Sequence, residues 1–128
     1  MIRGRMLAPG SATGDALVLD EALSLWGGLD ASTGRIVEAG HPQRGESVTG
    51  RILVMPSGRG SSSSATVLAE AIRLGTAPAG IVLGEPDPIV AIGALVAAQL
   101  YEIAVPVVSA DPVDYGAIGD DVVLTIGR

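Results

Sequence analysis

The chain has 128 residues, 48% of them hydrophobic and only 2% aromatic with no phenylalanine, and carries a net charge of −6. That length and apolar share predict one globular domain, 1–128, with a core of Val, Ile, Leu and Ala, and exclude a disordered chain. All eight basic residues are arginine and none form a run, which excludes a nucleic-acid partner; the lack of cysteine excludes disulfides, thiol catalysis and thiolate-held metal in this chain.

In chain order, "MIRGRMLAPG" has arginines but no apolar segment behind them, and no window approaches the roughly 18 apolar residues of a membrane span. A soluble, cytoplasmic protein with no membrane partner is expected. Up to about residue 50, short apolar stretches ("GDALVLD", "LSLWGG", "RIVE") alternate with turn residues, which predicts strands and a hairpin connection over Asp30 to Gly34. Trp26 is expected in the core or in packing, with a cleft or interface as the other possibility. His41, the only histidine, lies in the polar "GHPQRGE" and reads as a surface or hydrogen-bonding residue.

From residue 51 the pattern changes. "RILVMP" is a compact apolar strand, and Ala65 to Leu74 places Val67, Leu68, Ala71, Ile72 and Leu74 at helical spacing before Gly75, a natural C-terminal stop. "AGIVLG" predicts another buried strand. "DPIVAIGALVAAQLYEI" predicts a second, very apolar helix with Asp87 as N-cap and Pro88 at its first position, and "VPVVS" a third strand. Glu85 takes no functional role in this reading. Asp120 and Asp121 read as turn residues, after which "DDVVLTIGR" returns a strand to the β-rich part. The fold class is α/β: a β-rich N-terminal part and a βαβαβ parallel-sheet unit.

Between the first apolar strand and its helix lies "PSGRGSSSS". One serine there is explained as a helix cap; the others are not. Gly58 and Gly60 let the backbone approach a ligand, the helix mouth offers N–H donors, and Arg59 can grip a carboxylate or phosphate through two donors. The pattern is neither a Walker loop nor a dinucleotide fingerprint. A serine becomes a proton acceptor only where something stabilises its alkoxide, and Arg59 with a helix N-terminus is a conceivable source at Ser61.

The series "WGGLDASTG", "HPQRGESVTG" and "PSGRGSSSS", in that order and extending over nearly the whole chain, resembles the swivel domain of the aconitase X family. The resemblance implies a swivelling β/β/α domain, in many members a separate small subunit beside a large catalytic one. It implies a hydro-lyase that dehydrates a hydroxy acid at an iron or iron–sulfur centre held by the large subunit, with no cofactor and no metal site in this chain. Carried over by position, Ser61 resembles the family's proton acceptor, with Ser62 its rival. Arg59 would hold the substrate carboxylate, Gly58 and Gly60 would shape the turn, and Ser63 or Ser64 would cap the helix. The iron would take the departing hydroxyl while Ser61 removes the proton next to the carboxylate.

The expected substrate is cis-3-hydroxy-L-proline, the alternative mevalonate 5-phosphate, and the chain alone should be inactive. A non-catalytic anion-binding or interaction module is the reading from another class. A phosphohistidine swivel domain is excluded, because no histidine lies near the serine loop.

Overall fold

The computed structural model describes residues 4–59 and 62–127. Among them run β1 (Gly4–Ala8), β2 (Ala12–Val18), α1 (Leu25–Gly28), β3 (Leu29–Asp30), β4 (Arg35–Ile36), β5 (Ile52–Met55), α2 (Ser64–Leu74), β6 (Gly80–Leu83), α3 (Pro88–Tyr101), β7 (Val107–Ala110), α4 (Pro112–Gly116) and β8 (Val123–Ile126). The main sheet has six strands in the order β1-β7-β6-β5-β2-β8, and β3 and β4 form a separate hairpin.

β2, β5, β6 and β7 are parallel neighbours, while β1 and β8 close the two edges antiparallel to β7 and β2. The βαβαβ unit over β5, α2, β6, α3 and β7 is therefore present. Along β5 the side chains alternate: Leu53 and Met55 enter a core cluster with Leu68, Ala71, Ile72, Val90 and Ala94, while Ile52 and Val54 face a second cluster with Val82, Ala110 and Ile126. A parallel strand covered on both sides has no polar face, which explains why β5 and β6 are apolar at every position and wholly buried.

With few rings to fill space, the helices approach closely. A Cβ added at Gly93 of α3 would lie 2.8 Å from the Ala65 carbonyl oxygen of α2, so only glycine lets these helices meet there. Gly75 ends α2 in the left-handed conformation, φ 81°, as its position in the sequence predicts. Asp87 Oδ1 accepts from the N–H groups of Ile89 (2.9 Å) and Val90 (3.3 Å), capping α3 with Pro88 behind it.

The expected hairpin at Asp30 to Gly34 is formed, with the Asp30 carbonyl accepting from Gly34 N–H at 2.7 Å. "LSLWGG", however, is not a strand. Leu25 to Gly28 makes a single helical turn, broken at Trp26 (ψ 112°) and at Gly27 (φ 80°), a conformation that favours glycine. This break turns the Trp26 ring outward, so it is 58% exposed and contributes nothing to the core.

His41 is likewise not at the surface. It is 5% exposed; its Nδ1 accepts from Gln43 N–H at 3.0 Å, which leaves Nε2 as the nitrogen that donates to the Glu21 carbonyl at 3.3 Å. The expectation of a hydrogen-bonding role holds, in a loop stapled from within. No helix among the described residues is long and apolar enough to cross a membrane.

Candidate active site

The sheet delivers two loops to one place. β5 leads through Pro56 to Gly58 and Arg59, β6 leads through Gly84 to Asp87, and α2 and α3 begin there. Ligand sites of open parallel sheets lie at this edge, outside the carboxyl ends of the strands. A third segment joins them, because Leu23 forms a parallel bridge to Gly58 and so brings the Trp26 turn alongside.

Leu23, Leu25, Gly58, Arg59, Ser64, Asp87, Ile89 and Val90 line a notch of about 90 Å³. Gly58 is needed here for space: a Cβ at that position would run into Asp87 Oδ2, the carboxylate oxygen not used in capping α3. Ser64 is 5% exposed and its Oγ accepts from Trp26 N–H at 3.2 Å.

Arg59 reaches the open side of the notch with its side chain 49% exposed, and its Nη2 forms an ion pair with Glu38 Oε2. Glu38, 20% exposed, also accepts from Ser24 N–H at 3.1 Å through Oε1. The described residues thus do not form an unopposed positive cradle, since Glu38 pairs with the guanidinium and a second carboxylate, Asp87, lines the same notch. An anion entering the notch would share Arg59 with Glu38.

Of the residues singled out in the sequence, Gly58 and Arg59 lie in the notch, and Ser62 is an exposed turn residue whose carbonyl accepts from Ala65 N–H at 3.3 Å. Gly60 and Ser61 lie outside the described residues. The expectation that Ser63 or Ser64 caps α2 is not met. Ser63 occupies the N-cap position in a helical conformation without a side-chain cap bond, and the Ser64 hydroxyl serves Trp26 instead. The Trp26 turn supplied a backbone donor that had no acceptor of its own, and Ser64 was the hydroxyl within reach.

Sequence reasoning missed Glu38. It stands 21 positions from Arg59, in a stretch with no motif that marks it, and only the fold makes them neighbours. Asp87, expected as a cap alone, also lines the notch.

Residues 1–127 match the family model described as the aconitase X swivel domain. The chain is 43% identical over 107 residues to the cis-3-hydroxy-L-proline dehydratase of Pseudomonas aeruginosa, a match over 84% of this chain but 18% of that protein, so it spans less than a fifth of that relative's length. It is 40% identical over 95 residues to the phosphomevalonate dehydratase small subunit of Methanocella arvoryzae, over 74% of this chain and 72% of the relative. The crystal structure of Thermococcus kodakaraensis aconitase X in its holo-form is similar with a TM-score of 0.86 at 32% identity, covering 97% of this chain and 88% of that one.

Proposed function

The chain belongs to the aconitase X swivel domain family, and from that premise we propose that it is the small, swivelling part of a hydro-lyase that dehydrates cis-3-hydroxy-L-proline together with a larger polypeptide. The observation that carries this reading is the notch: Gly58, Arg59, Ser64 and Asp87 converge where β5 and β6 end and α2 and α3 begin. It is open on one side, and so suited to be one wall of a site whose other wall is another protein.

In this reading Arg59 binds the substrate carboxylate with donors of its five-donor fork beyond the one given to Glu38. Ser61, two positions further on, takes the proton from the carbon next to that carboxylate. The C–H electron pair becomes the new C=C bond, the C–O bond to the hydroxyl breaks, and hydroxide leaves as water once protonated. For Ser61 to accept a proton its alkoxide must be stabilised, and the sources of positive potential closest to it in sequence are Arg59 and the start of α2. Ser62 is the rival for the same role.

Iron chemistry, as the family resemblance implies, would assist departure of the hydroxyl. The donor set of this chain does not fit such a centre: among the described residues no group of three or more His, Cys, Asp or Glu could hold a metal, and the sequence has no cysteine. Any iron or iron–sulfur centre would then belong to the larger polypeptide. A covering partner also suits α3, whose outer side exposes Ile92 (51%), Leu95 (43%) and Leu100 (63%); a helix apolar all round is normally buried.

Mevalonate 5-phosphate is the second substrate reading, favoured by the likeness to archaeal phosphomevalonate dehydratase small subunits of similar length. The test is co-expression with the larger polypeptide and an assay of water elimination from both compounds. Dehydration of cis-3-hydroxy-L-proline by the complex and by neither part alone is expected. Turnover of mevalonate 5-phosphate instead would select the second reading, and a complex inactive on both would favour a non-catalytic anion-binding module.

A further inference from the structure

Both carboxylate oxygens of Glu38 are committed. Oε2 holds Arg59 Nη2, and Oε1 accepts from Ser24 N–H at 3.1 Å. Ser24 Oγ in turn donates to the Trp26 carbonyl at 2.9 Å, so one carboxylate ties the Arg59 loop to the Leu25–Gly28 turn. The neighbouring backbone makes room for it. A Cβ at Gly28 would come within 3.0 Å of Glu38 Oε1 and 3.3 Å of its Cβ.

The two partners are unequally free. Glu38 is 20% exposed and anchored by a backbone donor, whereas Arg59 is 49% exposed at the end of a long, flexible side chain in a glycine-flanked loop. The anchored group sets the geometry of the mobile one. An arginine already held in place loses less rotamer freedom when an anion binds, and the anion gains what the protein does not have to spend on ordering.

We propose that Glu38 is the positioning residue of Arg59: it fixes one edge of the guanidinium so that other donors of the fork face the notch, and it couples that orientation to the Trp26 turn. This rests on the reading that Arg59 binds the substrate carboxylate. That carboxylate is ionised before and during the reaction, so poorer orientation shows mainly in KM.

The experiment uses the complex with the larger polypeptide and cis-3-hydroxy-L-proline, with E38Q, E38D, R59A and the double variant R59A/E38Q. E38Q is expected to raise KM about tenfold with kcat lowered less than about threefold, and E38D, which keeps the charge, to recover part of the loss. In the R59A background E38Q should change KM less than about twofold, because a residue that acts only through Arg59 has nothing left to act on.

Unchanged KM for E38Q beside a raised KM for R59A overturns the proposal and leaves the Arg59 reading standing. KM effects that multiply in the double variant also overturn it. Unchanged KM for R59A overturns the Arg59 reading and this proposal with it. Gly28→Ala, whose Cβ would meet Glu38 Oε1 and Leu23 Cδ1 at 3.0 Å each, provides the second route: it should raise KM in the parent but not in the R59A background, whereas a normal KM in the folded G28A complex, or an equal rise in both backgrounds, which assigns the effect to Leu23, overturns the coupling.

Discussion

The backbone N–H of Trp26 donates to Ser64 Oγ at 3.2 Å, so the exposed indole sits on a turn fastened to the first residue of α2. Ser64 is 5% exposed. Ser64→Ala leaves a part-buried donor unpaired and should lower stability by about 1–3 kcal/mol in urea denaturation. Ser62→Ala, at an exposed turn position, should stay within about 0.5 kcal/mol of the parent.

Gly58 and Asp87 form a second testable pair. Asp87→Ala removes the α3 cap and should cost about 0.5–2 kcal/mol. Gly58→Ala drives a methyl group into Asp87 Oδ2 and should also destabilise. In the double variant the clash with the Asp87 carboxylate is gone and only the close approach to Val90 Cγ2 at 3.2 Å remains, so the two losses should sum to more than the loss observed. Denaturation midpoints of the three variants measure the coupling, and strict additivity would mean that the clash is relieved elsewhere.

Much of the α/β framework was legible because its strands are buried on both faces. β5 and β6 read as unbroken apolar runs, and α2 and α3 carry helical spacing, a glycine stop and an Asp-Pro start in plain view. The turn at Leu25–Gly28 was not legible, since "LSLWGG" alternates like a strand while Trp26 and Gly27 break it through backbone angles that composition does not encode. β1 was hidden for another reason: its partner is β7, about a hundred positions away, and its residues are largely exposed. At the site, Gly58 and Arg59 could be chosen from the loop itself, but Glu38 became visible only through the fold. His41 misled because a polar loop suggests a surface side chain, whereas this imidazole satisfies one backbone group of its own loop, Gln43 N–H, and one of another, the Glu21 carbonyl.

Burial in the second core cluster pushes the Tyr115 phenol above its ordinary value. The unfolded chain therefore loses this proton at lower pH than the folded one. Stability from this group is fully present below the ordinary tyrosine value of about 10 and is lost as pH rises through the folded value. Denaturation midpoints should fall from about pH 9 upward, and Tyr115→Phe should flatten that slope. An identical slope in the variant would assign the alkaline loss to other groups.

Trp26 is the sole tryptophan and is 58% exposed, which makes it a probe of the proposed partner. Binding of the larger polypeptide over the notch should shift its emission to shorter wavelength. Trp26→Ala should leave the stability of the isolated chain within about 0.5 kcal/mol but weaken assembly or turnover. An emission spectrum unchanged in the assembled complex would place this turn outside the interface.

The central claim is that the serine loop brings a proton acceptor to a hydroxy acid bound between two polypeptides, and Ser61→Ala in the reconstituted complex tests it most directly. The account predicts dehydration of cis-3-hydroxy-L-proline slowed by about 10²–10⁴-fold, with the variant still co-purifying with the larger polypeptide. Turnover at the parental rate by a fully assembled Ser61→Ala complex would contradict it.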